Sequence, residues 1–121
     1  MSAYFAELYS RLGPIVSGRA FPVTFPQEPL PTWPAIRYTP TGGAIEKTNC
    51  GDANDGDVSV QVDIVAKEFA HLIPLLASVR SSLSSFSVPC VLESEPAFEY
   101  DSETKTHRVI LQYTIAGSYT F

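Results

Sequence analysis

Cys50, Cys90, His71 and His107 are the residue types of a cysteine hydrolase. In such a site a thiolate attacks a carbonyl, an imidazole moves the proton, and an acid or amide orients the ring. Nothing in the local sequence assembles them. Cys50 lies in a polar stretch rich in Asn, Asp and Gly, and Cys90 falls where a strand would hold it as a small core thiol. The run Asp52-Ala53-Asn54-Asp55-Gly56-Asp57 sets carboxylate and amide oxygens close together, the donors a hard cation prefers. An EF-hand loop begun at Asp52 would need an oxygen donor where Gly56 stands and glycine where Asp57 stands, and its last ligand, Asp63, falls inside a strand pattern. Gly42-Gly43 is followed neither by a GK pair nor by the start of a helix, so it is no phosphate cradle. No zinc-ligand spacing occurs. The expectation is a chain without catalytic residues, metal or cofactor.

The charged residues are more informative. Glu93, Glu95, Glu99, Asp101 and Glu103 all carry odd numbers. Along an unbroken strand they project from one face, while Leu92, Phe98 and Tyr100 take the other. Unpaired carboxylates are costly to bury, so Glu93, Glu95, Glu99 and Asp101 are expected to be exposed. They form either a solvated outer face or an acidic surface lining a channel through which an anionic polymer slides. Arg19 and Arg37 are flanked by apolar residues in short strand candidates, and Arg37 alternates with Ile36 and Tyr38, so it points away from them. Its head meets solvent or an acid on a neighbouring subunit. Phe25, Trp33 and Tyr38 suggest either loop anchors or the lining of a groove for a small molecule or peptide.

These groups must be positioned by a small domain. The chain has 121 residues and reads as a single domain over 1–121. It is 45% hydrophobic and 12% aromatic, enough to build a core, and only 17% charged, against about 25% in ordinary proteins. Thirteen acids against eight bases give a net charge of −5, which disfavours binding of nucleic acid through its phosphates. No apolar run approaches the ~18 residues of a membrane span, and the first residues lack the pattern of a secretory leader. The cysteines are too few to staple a secreted scaffold, and reduced thiols in a cytoplasm are expected.

Phe5, Leu8, Tyr9 and Leu12 recur at helical spacing, which predicts a helix over 2–12 with Ser2 as its cap and Gly13-Pro14 as its stop. A short strand is expected over 15–21. Pro22, Pro26, Pro29, Pro31 and Pro34 then make a stiff extended loop. A strand follows over 35–39, ended by Pro40 and Gly42-Gly43, and 46–57 reads as a mobile surface loop. Val58, Val60, Val62 and Ile64 alternate with polar residues in the clearest strand pattern of the chain. Phe69, Leu72, Ile73, Leu76, Val79 and Leu83 mark one stripe of a second helix. Pro74 predicts a kink in it, or a regular helix that begins only near His71. Two strands over 88–100 and 106–116 close the chain around the turn 101–105, with Pro96 bulging the first. The fold class is α+β: a mixed, mostly antiparallel sheet of four to five strands against two helices.

The segments Ser17-Gly18-Arg19-Ala20-Phe21-Pro22, Pro26-Gln27 and Pro34-Ala35-Ile36-Arg37-Tyr38 resemble the tail completion (tail terminator) proteins of long-tailed bacteriophages. The likeness continues through Val60-Gln61-Val62-Asp63-Ile64-Val65-Ala66 with its following helix, and through 101–105 with Arg108-Val109-Ile110-Leu111-Gln112-Tyr113, covering nearly the whole chain. The resemblance implies a non-enzymatic virion protein without cofactor that assembles with itself into a ring, usually a hexamer. That ring sits on the head-proximal end of the tail tube, stops its polymerisation and offers the head-tail connector protein a docking surface. DNA passes through such a ring without specific binding, no membrane is involved, and the ring belongs to the virion tail, assembled in the bacterial host cytoplasm. Arg19 and Arg37 then become candidate ring contacts, and Glu93, Glu95, Glu99 and Asp101 candidates for the lumen.

The closing hairpin has two registers that keep its apolar faces together, one setting Phe98 against Val109 and the other Phe98 against His107. Val109, Leu111, Tyr113 and Ile115 form one apolar set, Phe98 and Tyr100 the other, and opposed residues of an antiparallel pair share a face. The preferred pairing sets Phe98 against Val109, Tyr100 against His107 and Glu99 against Arg108, the last as a cross-strand ion pair.

Overall fold

The computed structural model describes residues 3–25, 32–43, 47–48, 51–52 and 58–115. Helix α1 (Ala3–Leu12) runs into a 3₁₀ turn over Gly13–Val16, and strand β1 (Ala20–Pro22) follows. The expected strand over 15–21 is thus half as long, because Pro14 opens a 3₁₀ turn that buries Val16, and the left-handed Ser17 and Gly18 (φ 55° and 84°) reverse the chain before Arg19. β1 stops before Val23, whose φ of 67° closes a γ-turn from the Thr24 amide to the Pro22 carbonyl. The proline loop lies partly outside the described residues, as do Ser2, Cys50 and most of the 46–57 segment. Of that segment a two-residue ladder is described, β3 (Lys47–Thr48) with β4 (Gly51–Asp52).

β2 (Ala35–Gly43) runs through Pro40, with a register shift between Pro40 and Gly42 rather than a stop. β5 (Val58–Ala66), helix α2 (Phe69–Ser84), β6 (Cys90–Leu92), β7 (Ala97–Asp101) and β8 (Thr106–Ile115) complete the chain. The sheet has six strands in the order β1-β2-β5-β8-β6, with β7 also on β8, and only β1 against β2 is parallel. The α+β architecture is the one expected, with a wider sheet.

Both helices lie on one face of this sheet. Leu8 and Leu12 of α1, Leu72, Val79 and Leu83 of α2, and Val58, Val60, Val62, Ile64, Val109, Leu111 and Ile115 of the central strands share one core. Each such side chain contributes about 1.5–3 kcal/mol by leaving water, which is what holds the helices down. The stripe anticipated for α2 is only partly right. Leu72, Val79 and Leu83 are buried, but Phe69 and Ile73 are 47% and 49% exposed, and Leu75 and Leu76 are half-buried. Pro74 neither breaks the helix nor delays its start, and both it and Ala70, whose carbonyl it leaves without an intrahelical donor, are exposed. No helix among the described residues is long and apolar enough to cross a membrane.

A polar clamp ties α1 to the end of α2. Arg11 donates to the carbonyls of Ser82 (3.0 Å) and Ser85 (2.6 Å), capping the open end of α2, while its Nε bonds Glu7 Oε2 at 2.9 Å. Glu7 in turn accepts from the Ser87 amide at 2.8 Å and its hydroxyl at 2.5 Å. Burial alone would raise the Glu7 carboxyl; the bonds from Ser87 and Arg11 outweigh it and hold the carboxyl below its ordinary 4.5. A lowered folded value means stability that is present above 4.5 and lost as pH falls through the folded value. Glu7→Gln is therefore expected to cost about 1–2 kcal/mol at pH 7, a deficit that closes as both proteins are acidified below pH 4.5. Urea melts at several pH values measure it.

Candidate interaction surface

The face of the sheet turned away from the helices carries the polar chemistry. Asp63, at the centre of β5, is fully buried there. Arg37 of β2 donates to its Oδ2 through both Nε and Nη2, Gln61 donates to its Oδ1 at 2.9 Å, and Gln112 of β8 donates to Gln61 at 3.0 Å. This chain of bonds spans the three central strands. Beside it, Phe25, Ala35 and Val65 form a second small core with Phe21 and Trp33 packed on it. Phe25 and Trp33 meet edge-on at 5.4 Å, and the Arg37 guanidinium lies 5.6 Å from the Phe25 ring centre. Arg37 does point away from Ile36 and Tyr38, but to an acid of its own chain. Tyr38 is buried in the opposite core, so Phe25, Trp33 and Tyr38 do not line a common groove.

Arg19 is arranged differently. Its Nε donates to the Pro34 carbonyl at 2.8 Å, and its two terminal nitrogens have no partner among the described residues. Pro34 also lines an apolar groove of about 350 Å³ on the helix side, with Ile15, His71, Pro74, Leu75 and Ser78.

The acidic stripe is interrupted. β6 and β7 pair with β8 in registers two residues apart, so 93–96 loop out between them, with Pro96 in the break. The two-residue offset preserves parity, and Glu93, Glu95 and Glu99 remain exposed while Asp101 is half-buried. The hairpin register is the preferred one of the two that alternation allows: Phe98 opposes Val109, Tyr100 opposes His107 and Glu99 opposes Arg108. The Glu99–Arg108 ion pair does not form. Arg108 turns diagonally to Asp101 at 3.9 Å, because that carboxylate is fixed in place by the Glu103 amide at 2.9 Å, whereas Glu99 has no partner among the described residues to hold it. The Glu103 amide, countered slightly by burial and aided by Thr104 and Arg108, sets the Asp101 carboxyl below its ordinary 3.8.

On the helix side of β7, Phe98 and Tyr100 are 45% and 56% exposed. They form one aromatic cluster with Phe69 and His107: Phe69 lies 5.5 Å from Phe98, and His107 lies 4.9 Å from Tyr100. Periodicity alone assigned Phe69 to the core and so missed this patch.

Cys90 and His107 stay apart, and Cys50 lies outside the described residues. Cys90 opposes Ile115, eight residues along β8 from His107 and therefore roughly 27 Å from it. Burial pushes the Cys90 thiol up to about 11, the reverse of an activated nucleophile. Among the described residues no three His, Cys, Asp or Glu side chains converge on a point where a metal would sit. The Asp52–Asp57 run lies almost wholly outside them.

No protein-family model matches the chain, and no curated protein sequence matches it. Among solved structures it is similar to a chain from the virion of a native gene transfer agent particle, with a TM-score of 0.67 and 15% identity. The match covers 93% of this chain and 92% of that one, so the likeness is of whole domain to whole domain. At that identity it is a likeness of fold.

Removing Arg37 strands the Asp63 carboxylate in a dry site. Arg37→Leu is expected to destabilise the chain by about 3 kcal/mol, with most of that recovered when Asp63→Leu is added. Denaturant midpoints of the single and double variants give the comparison.

Proposed function

We propose that this chain is a structural protein of a tailed, phage-like virion, and that it caps the head-proximal end of the tail tube as a closed ring of six copies, the usual number in the tail terminators it resembles. In this role it ends tube polymerisation and gives the head-tail connector protein a surface to dock on. The observation that carries the proposal is the end-to-end fold likeness to a chain of the gene transfer agent virion, with neither chain leaving a substantial part unmatched. The short motifs shared with tail terminators point the same way. Two further features support self-assembly: an open sheet with two dissimilar edges, and exposed aromatic residues gathered on one of them.

In the ring, Glu93 and Glu95, on the loop between β6 and β7, face the bore and repel DNA phosphates as the genome passes. Of the two candidate arginines, Arg37 serves the fold and Arg19 is left for a neighbour. No enzymatic step and no cofactor belong to this reading. The protein acts in the virion tail after assembly in the host cytoplasm.

Purified chain added to polymerising tail tube protein is expected to arrest tube growth at a ratio far below one chain per tube subunit, and to sediment with the tubes at one end only. Tubes that elongate unchanged while the chain stays in the supernatant would overturn the proposal. In assembled particles, Glu93→Lys with Glu95→Lys is expected to slow DNA ejection and leave particle yield unchanged.

A further inference from the structure

We infer that a second copy of this chain docks head to tail along the sheet, with the β7 flank of one copy seated against the β1 flank of the next. The inference rests on the ring reading and names its contact.

β1 and β7 lie at opposite ends of the path β1-β2-β5-β8-β7. Four strand-to-strand steps of about 4.8 Å put them roughly 19 Å apart, so they are distinct surfaces. Contact between two distinct surfaces is heterologous, which is what a closed ring of more than two copies needs.

The two flanks match on both faces. On the helix side, β7 presents Phe98 and Tyr100 as an exposed apolar ridge, continued by Phe69 and Ile73 of α2. On the same side, the β1 flank offers the groove between Ile15, Pro34, Pro74 and Leu75. On the opposite face, β7 presents Glu99, exposed and unpaired among the described residues. The β1 flank presents Arg19 on that face, since Ala20 points into the helix-side core and Arg19 alternates with it. The Nε bond to the Pro34 carbonyl ties the Arg19 head to the start of β2, and its terminal nitrogens have no partner among the described residues.

A neighbour placed side by side with its faces aligned thus brings ridge to groove and acid to base in one movement. The alternative of pairing like flanks sets Glu93, Glu95 and Glu99 against their own copies, and like charges across an interface are strongly disfavoured. The partner is therefore another copy of this chain.

The test is a charge reversal with rescue, read by mass photometry over a concentration series and by binding to tail tubes. Glu99→Arg and Arg19→Glu are each expected to raise the concentration for half-assembly about tenfold or more. The double variant Arg19→Glu/Glu99→Arg is expected to return to within about threefold of the unaltered chain. Phe98→Asp tests the ridge in the same assay, with an unchanged melting temperature confirming that the exposed residue was not holding the fold. Rings that form equally well from both charge variants and from Phe98→Asp would overturn this contact while leaving the ring reading intact. An unaltered chain that never assembles, alone or on tubes, would remove the ring reading and this contact with it.

Discussion

The position of Asp63 governs the rest of the sheet. Its carboxylate is buried in the middle of the central strand and is satisfied only on the face where Arg37 and Gln61 reach it. A slip of one residue would turn it into the core of Val60, Val62, Ile64 and Leu111, where no donor waits and the cost is several kcal/mol. The even-numbered residues of β5 are thereby committed to the helices. β2 and β8 are drawn into register by the same group, through Arg37 on one side and the Gln61–Gln112 bond on the other.

That constraint also decides which surface remains for partners. The centre of the outer face is filled by the Asp63 bonds and closed at one end by Phe25 and Trp33 over Ala35 and Val65. The helices cover the other face. Among the described residues, exposed chemistry is left at the two edges of the sheet: an aromatic ridge with the Glu99 carboxylate at β7, and a groove near the terminal nitrogens of Arg19 at β1. An open edge invites pairing, and the acids around β7 restrict that pairing to a basic neighbour.

Much of this was legible in the sequence where periodicity acts over short range. The alternation of Val58 to Ile64 revealed the central strand and its inner face, and the parity of Phe98, Tyr100, Val109 and Leu111 narrowed the hairpin to two registers, of which the preferred one forms. The failures have physical causes. A helical stripe specifies a sector, not which edge of it meets the sheet, so Phe69 and Ile73 fit the period of α2 yet lie on its exposed flank. Arg37 and Arg11 find partners 26 and more than 70 residues away, beyond anything local spacing encodes. Pro96 did signal the interruption of the acidic stripe, while the diagonal choice of Arg108 depends on how the Glu103 amide fixes Asp101. Arg19 was legible as a candidate contact; the groove beside it exists only once residues 15, 34 and 74 are brought together.

The head-to-tail arrangement is the centre of this account, and cross-linking tests it most directly. A chain carrying Arg19→Cys together with Glu99→Cys would be treated with a short bis-maleimide on tail tubes, beside the two single variants and the unaltered chain as controls for the native thiols. The account predicts a ladder of covalent multimers from the double variant that ends at one discrete ring size, and no such ladder from either single variant. Dimers formed by a single variant, or a double variant that yields no product beyond the controls, would contradict it.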